Sequence, residues 1–220
     1  MDKPLALKLA PNSLSEVIGQ KHLVGEDKIL YNLIKNKKLF SMILYGKPGI
    51  GKTSIANAII KDLGVRHRFL NATVNSKKDL DIVIEEAKMY DGIVLIMDEI
   101  HRLNKDKQDI LLPCLESGLI TLIGMTTSNP YHAINPAIRS RCQLFELKEL
   151  ETSDIIEGLN KAVKSPYLQD KMCIRDRPNT LLKPTFKFLI PVLSFSSCSR
   201  FKIKSLEPLD ILLNSSNSSL

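Results

Sequence analysis

Short apolar runs recur along residues 42–147, and polar stretches with helical spacing separate them. Met42-Ile43-Leu44-Tyr45 is the first run, and Ile93-Val94-Leu95-Ile96-Met97 is the longest unbroken one before a pair of carboxylates. Residues 119–125 are apolar and β-branched, and Leu144-Phe145 marks a last short run. An unbroken apolar run is what a strand of a parallel sheet shows, because helices cover both of its faces. Over 53–63, Ile55, Ile59, Ile60 and Leu63 fall on one helical stripe, and over 154–164 so do Ile155, Ile156, Leu159, Ala162 and Val163. The pattern predicts an α/β fold: a parallel five-stranded sheet with helices on both faces. Its strands fall near 42–45, 67–71, 93–98, 119–125 and 143–147. A body of this length, roughly 165 residues, buries about 70% of its unfolded surface, enough for one core.

Candidate chemistry sits where these runs end. Gly46-Lys47-Pro48-Gly49-Ile50-Gly51-Lys52-Thr53 matches the G-x-x-x-x-G-K-[ST] phosphate loop and lies between a predicted strand and a predicted helix, as that loop requires. Glycines let backbone N–H groups curl around phosphates, a lysine neutralises the outer phosphate oxygens, and a threonine hydroxyl takes a place on Mg²⁺. Gly46, Pro48, Gly49, Gly51, Lys52, Thr53 and Ser54 are therefore the expected nucleotide contacts, against the plainer reading of a glycine-rich turn before an ordinary helix. The 93–97 run ends in Asp98-Glu99. Asp98 is expected to hold Mg²⁺ together with Thr53, and Glu99 to orient and polarise the attacking water. An acidic turn after a strand is weak evidence alone and strong beside the loop.

The next run ends in Thr126-Thr127-Ser128-Asn129-Pro130, where a polar side chain would touch the γ-phosphate. Thr127 is the first choice for this contact and Asn129 the second, with a simple polar turn as the plain reading. Asn135-Pro136-Ala137-Ile138 reads as a cap and first helical turn. Arg141, in Arg139-Ser140-Arg141-Cys142, is the candidate arginine finger, since a guanidinium binds two phosphoryl oxygens as charge develops on them. The alternative is a solvent-facing surface arginine.

Composition adds little to this picture until the charge is located. With 44% hydrophobic and 25% charged residues the chain has ordinary soluble composition. No apolar run approaches the roughly 20 residues of a spanning helix, and Met-Asp-Lys-Pro does not open a signal peptide, so a cytoplasmic protein without membrane contact is expected. Cys114, Cys142, Cys173 and Cys198 are scattered without a C-x-x-C, which points to neither a disulfide framework nor zinc. The net charge of +7 permits contact with nucleic acid, but +4 of it comes from residues 172–220, which hold nine Ser, no Ala and no Gly. That segment opens with Met172-Cys173-Ile174-Arg175-Asp176-Arg177. These residues agree with one reading frame of a string that resembles a transposon end used in preparing sequencing libraries, the alternative being a genuine, divergent C-terminal element. The tail is therefore expected to be a non-native, poorly ordered scar of sequencing or assembly. The resulting division is a core over 1–150, a first helix of a truncated lid over 151–171, and the tail.

Taken together, these residues resemble a AAA+ ATPase, and three further stretches narrow the likeness. Asp98-Glu99-Ile100-His101-Arg102-Leu103-Asn104-Lys105, Leu115-Glu116-Ser117-Gly118 and Gly124-Met125-Thr126-Thr127-Ser128-Asn129-Pro130 are similar to the replication-associated recombination protein A family. Pro4-Leu5-Ala6 and Ile18-Gly19-Gln20-Lys21-His22-Leu23 fit it as well. The resemblance covers residues 1 to about 165. It implies a DNA-dependent ATPase of replication-fork maintenance and recombination that binds ATP and Mg²⁺ and acts at forks and single-strand/double-strand junctions. It also implies a homo-oligomer, with single-strand-binding protein as a further partner, hydrolysis between subunits, and Ile18 and Gly19 against the adenine.

This chain departs from the family in having Ala10 where an arginine is usual, and in carrying only the first helix of the lid that would bring a second sensor arginine and the assembly region. RuvB-like branch-migration subunits share residues 98–103 but differ around Arg139-Ser140-Arg141-Cys142. Clamp-loader subunits share the Ser140-Arg141-Cys142 element but carry a four-cysteine zinc module after the loop helix, where this chain has no cysteine. A nucleotide-binding module without turnover is the remaining alternative. Lys35, Lys37, Lys38, Lys77 and Lys78 fit DNA phosphates or, more simply, a solvated surface. His22, His67, His101 and His132 show no ligand spacing and receive no chemistry.

Overall fold

The computed structural model describes residues 4–166; the tail expected from Met172 onward lies outside them. An N-terminal arm holds α1 (Leu5–Lys8), a 3₁₀ turn (Leu14–Glu16), α2 (Lys21–Val24) and α3 (Ile29–Lys35). The chain then alternates β1 (Met42–Tyr45), α4 (Lys52–Leu63), β2 (His67–Asn71), α5 (Lys77–Met89) and β3 (Ile93–Asp98). A 3₁₀ turn (Ile100–Arg102), α6 (Lys105–Glu116), β4 (Ile120–Thr126), α7 (Pro130–Ala133), α8 (Pro136–Arg139), β5 (Gln143–Glu146) and α9 (Thr152–Val163) complete it. Among the described residues no helix is long and apolar enough to cross a membrane.

All strand pairs are parallel, and the sheet order is β2-β3-β4-β1-β5. Side chains alternate across a strand, so consecutive apolar residues serve opposite faces. On one face Met42, Leu44, Val94, Ile96, Ile123 and Met125 pack under α4 and α3, with Ile55, Ile59, Leu30 and Leu33 between the layers. On the other, Ile43, Leu95, Met97 and Leu122 meet Leu80 and Val83 of α5, Leu111 of α6 and Ile138 of α8. Two covered faces explain the unbroken apolar runs. Strand β2 lies at the edge with only Leu70 buried, and Arg68 there makes a two-pronged pair with Glu86 at 2.6 and 3.0 Å.

The predicted strands stand, each within a residue of its expected bounds. The loop helix begins one residue early, at Lys52, because Gly51 takes the left-handed N-cap position. Helix α9 begins two residues early because Glu151 and Asp154 form a capping box ahead of it. None of its residues is buried: Ile155, Leu159 and Ala162 are half-covered, while Ile156 and Val163 are 53% and 50% exposed.

Strand β1 is central to function. It lies between β4 and β5; its own connection runs toward β2 and that of β4 toward β5, so adjacent strands send the chain in opposite directions and a crevice opens at their C-terminal ends, the usual ligand position in open α/β sheets.

Candidate functional site

The 46–53 loop occupies that crevice. Gly46 leaves β1 with φ +145°, and its N–H donates to Thr126 O at 3.3 Å, tying the loop to the end of β4. A Cβ at Gly46 would stand 2.5 Å from Ile50 Cδ1 and 2.7 Å from Leu147 O, so the close approach excludes any side chain. Gly51, with φ +103°, turns the chain into α4 through a conformation that L side chains rarely adopt. Lys52 follows at the first helical position, only 9% exposed, and its Nζ donates to Gly46 O and Lys47 O, each at 2.8 Å. Burial lowers the Lys52 pKa, while nearby Glu99 and Asp98 pull it back up. A helix N-terminus, a curled backbone and a half-desolvated ammonium converge on one small volume, which suits an oxyanion. Thr53 is exposed in the first turn of α4, Ser54 is half-buried, and Pro48 and Gly49 form the exposed tip.

Across the crevice β3 and β4 end side by side. Asp98 pairs in register with Asn71, whose Nδ2 donates to Asp98 Oδ2 at 3.4 Å, and the Glu99 N–H donates to Asp98 Oδ1 at 3.0 Å. Glu99 is a non-glycine residue in the left-handed region, with φ +51° and ψ +41°. Its Oε2 lies 3.2 Å from His101 Nδ1, and the same nitrogen lies 2.9 Å from Thr126 Oγ1. Thr126 is 1% exposed, and its hydroxyl also accepts the Ser128 N–H at 3.0 Å. Thr127 is exposed, next to it on the chain. Asn129 caps α7 with its side-chain oxygen, which accepts the Tyr131 N–H at 3.0 Å and leaves its amide N–H groups to donate, as the exposed Thr127 hydroxyl can.

Two sequence candidates stand away from this cluster. Arg141 lies just past α8 and turns toward α6: one nitrogen donates to Ala137 O at 2.6 Å, and another pairs with Glu116. Ile18 and Gly19 precede α2 and face α9. A Cβ at Gly158 would come 2.8 Å from Ile18 Cδ1, and one at Gly19 would come 2.5 Å from Leu150. The adjoining Gln20, 5% exposed, stitches this segment to the loop. Its Nε2 donates to Lys148 O at 2.7 Å and to Ile50 O at 3.4 Å, and its Oε1 accepts the Lys148 N–H at 3.0 Å.

Gln20, Asn71, His101 and Thr126 thus belong to the surroundings of the site although sequence reasoning gave them no task there. For Asn71 and Thr126 a signal exists, a polar residue at the end of a strand beside the phosphate loop; for Gln20 and His101 the partners are known only once the chain is folded. Among the described residues no group of three or more His, Cys, Asp or Glu forms a metal site.

Residues 9–138 match the family model described as the Holliday junction DNA helicase RuvB P-loop domain. Over 165 residues the chain is 57% identical to replication-associated recombination protein A of Bacillus subtilis, covering 75% of this chain and 39% of that protein. It is 43% identical to the protein of the same name from Coxiella burnetii, covering 73% of this chain and 37% of that one. The chain therefore spans about two fifths of the length of the curated relatives it matches. Among solved structures, the RuvB Holliday junction branch migration motor of Thermotoga maritima superposes with a TM-score of 0.62 at 28% identity, covering 74% of this chain and 55% of that one. The loop and carboxylate strands that the match spans are the ones that build the crevice, and by that match the chain belongs to the RuvB P-loop domain family of AAA+ proteins, with a sequence that sides with replication-associated recombination protein A.

Proposed function

We propose that this chain is the ATPase core of a AAA+ protein of replication-fork maintenance and recombination, hydrolysing ATP in a DNA-dependent manner. The observation that carries the reading is the convergence of buried Lys52 with half-buried Asp98 and Glu99 at one sheet edge, with exposed Thr53 and Thr127 on its rim. The loop N–H groups and Lys52 bind the phosphates. The Thr53 hydroxyl and the Asp98 carboxylate are hard oxygen donors that fit Mg²⁺, whose remaining positions phosphate and water would fill. That ion supplies charge neutralisation to the phosphates when bound. Glu99 accepts a proton from the attacking water, and Thr127 donates to the γ-phosphate. Ile18 and Gly19 lie against the base, held to the loop by Gln20. Gly46, without a side chain, lets the loop pack closely against Ile50 and the Leu147 carbonyl.

Arg141 acts on a neighbouring subunit's nucleotide, which makes the active unit a homo-oligomer. DNA at forks and single-strand/double-strand junctions is the stimulating partner, and single-strand-binding protein is a further one. The reading is tested by DNA-stimulated phosphate release in the wild-type chain, Glu99→Gln and Arg141→Ala. Loss of turnover in both variants with nucleotide binding kept is the expected outcome, and wild-type turnover in Glu99→Gln would sink it.

A second reading has its own support. Arg141 is paired with Glu116 inside its own protomer, and the apolar stripe of α9 is largely uncovered, so the chain by itself fits a nucleotide-binding module without turnover. Nucleotide binding with no hydrolysis in the presence of DNA would favour it. The RuvB family match keeps a branch-migration subunit in view, but 57% identity to replication-associated recombination protein A against 28% to the RuvB motor favours the first assignment.

A further inference from the structure

His101 stands between the two strand ends that a hydrolytic site must keep in register, and the proposed ATPase chemistry leaves it without a task. The backbone around it is firmly held. Ile100 is 1% exposed and packs so closely on β4 that a Cβ at Gly124 would come 3.0 Å from Ile100 Cδ1, while the Arg102 N–H closes the turn on Glu99 O at 2.8 Å. Ile100 thus fixes where the Glu99 backbone is, in a left-handed conformation that only a well-determined surrounding maintains. It does not fix the carboxylate, which is joined to its backbone by three rotatable bonds. The side chain that reaches it is His101, through Nδ1 at 3.2 Å.

The donor assignment follows from the partners. With its proton on Nδ1 the ring can donate toward the Glu99 carboxylate, 3.2 Å away, and toward Thr126 Oγ1. Thr126 Oγ1, 2.9 Å from the same nitrogen, accepts from the Ser128 N–H and can share the Nδ1–H, while its own hydroxyl proton points to Ser128 O at 3.3 Å. His101 is only 15% exposed in its side chain, which limits competition from water.

We infer that His101 is a positioning residue: its Nδ1–H holds the Glu99 carboxylate in register with Thr126, and so with the neighbouring Thr127 that faces the γ-phosphate. This rests on the ATPase reading of the site. The ring acts through Glu99: it limits the carboxylate to orientations in which a water near the terminal phosphate can lose its proton, and orientation of this kind is worth about one to two orders of magnitude in rate.

The test uses the full chain and a pair of substitutions that divide the two ring nitrogens. In His101→Asn the amide nitrogen falls near the place of Nδ1, whereas in His101→Gln it falls near that of Nε2. The expected result is a kcat within about threefold of wild type for His101→Asn and a fall of about 10- to 100-fold for His101→Gln, with KM and nucleotide affinity unchanged in both. Equal kcat in the two variants, or a loss that appears in KM or follows the thermal midpoint, overturns the inference. Glu99→Gln is the reference: if it keeps turnover, the ATPase reading falls and this inference with it; if it abolishes turnover while the histidine pair is indistinguishable, only this inference falls. Independently of turnover, ¹⁵N-histidine spectra at pH 8 are expected to show Nδ1 of His101 protonated, and an Nε2–H tautomer there overturns the assignment.

Discussion

Lys52 and Arg141 are both cations of the kind a phosphate-handling site uses, and the fold treats them in opposite ways. Lys52 is buried, bonded to two carbonyls of its own loop and set among groups that its own sheet orients. Arg141 is about a third exposed, outside the crevice, and paired with Glu116 on a neighbouring helix. The apolar side chains repeat the contrast: Ile55 and Ile59 of α4 are fully buried beneath the loop, whereas no residue of α9 is buried. One region is complete within a single chain. The other holds Arg141 against Glu116 and leaves the apolar stripe of α9 largely uncovered, which fits the proposal of a site shared between subunits.

The contrast predicts a largest effect at the exposed cation, and only in the rate. Arg141→Ala is expected to lower DNA-stimulated turnover by about 10³-fold or more, with nucleotide affinity unchanged in equilibrium titration. A loss of affinity instead would place Arg141 in its own protomer's site and break the comparison. Next in size is the core beneath the loop. Ile59→Ala should cost about 2–5 kcal/mol in denaturant unfolding, while Ile156→Ala on α9 should stay within about 0.5 kcal/mol. Similar costs would mean that α9 is as well packed as α4.

Lys52→Ala should weaken nucleotide binding by about 10- to 100-fold, the loss of a charged hydrogen-bonding partner to phosphate, read by titration with a fluorescent nucleotide. Because burial lowers the Lys52 pKa, the ammonium loses its proton at a lower pH than a free lysine. A bound phosphate restores it, so affinity should fall as the medium becomes alkaline and binding should take up protons there. The smallest effect concerns Cys142, next to Arg141, whose thiol burial pushes up to about 12. Thiolate is the reactive form, so alkylation of Cys142, followed by peptide mass, should stay slow at pH 7–8 and accelerate only as pH rises or as the Arg141 corner opens.

Much of the fold was legible because both faces of a parallel sheet are covered, which turns strands such as Ile93–Asp98 into runs that need no long-range knowledge to find. The phosphate loop was legible because its residue types fall within eight positions, with Gly51 dictated by a positive φ at the start of α4, although the close approach that requires Gly46 is to Leu147 across the fold. His101 was passed over because its two partners matter only when β3 and β4 lie side by side. Gln20 was passed over because Lys148, 128 residues away, is the group it bonds.

The order of apolar runs, the loop between the first strand and its helix, and the carboxylates at the end of the third strand were determined by the sequence alone, since each depends on neighbours a few residues away. Only the tertiary structure decided which polar groups those elements hold in place. It placed His101 between Glu99 and Thr126, locked Gln20 between the loop and the exit of β5, and turned Arg141 onto Glu116. Hydrogen bonds and ion pairs act over about 3 Å, and which residues come that close is set by the packing of the sheet and its helices, not by their separation along the chain.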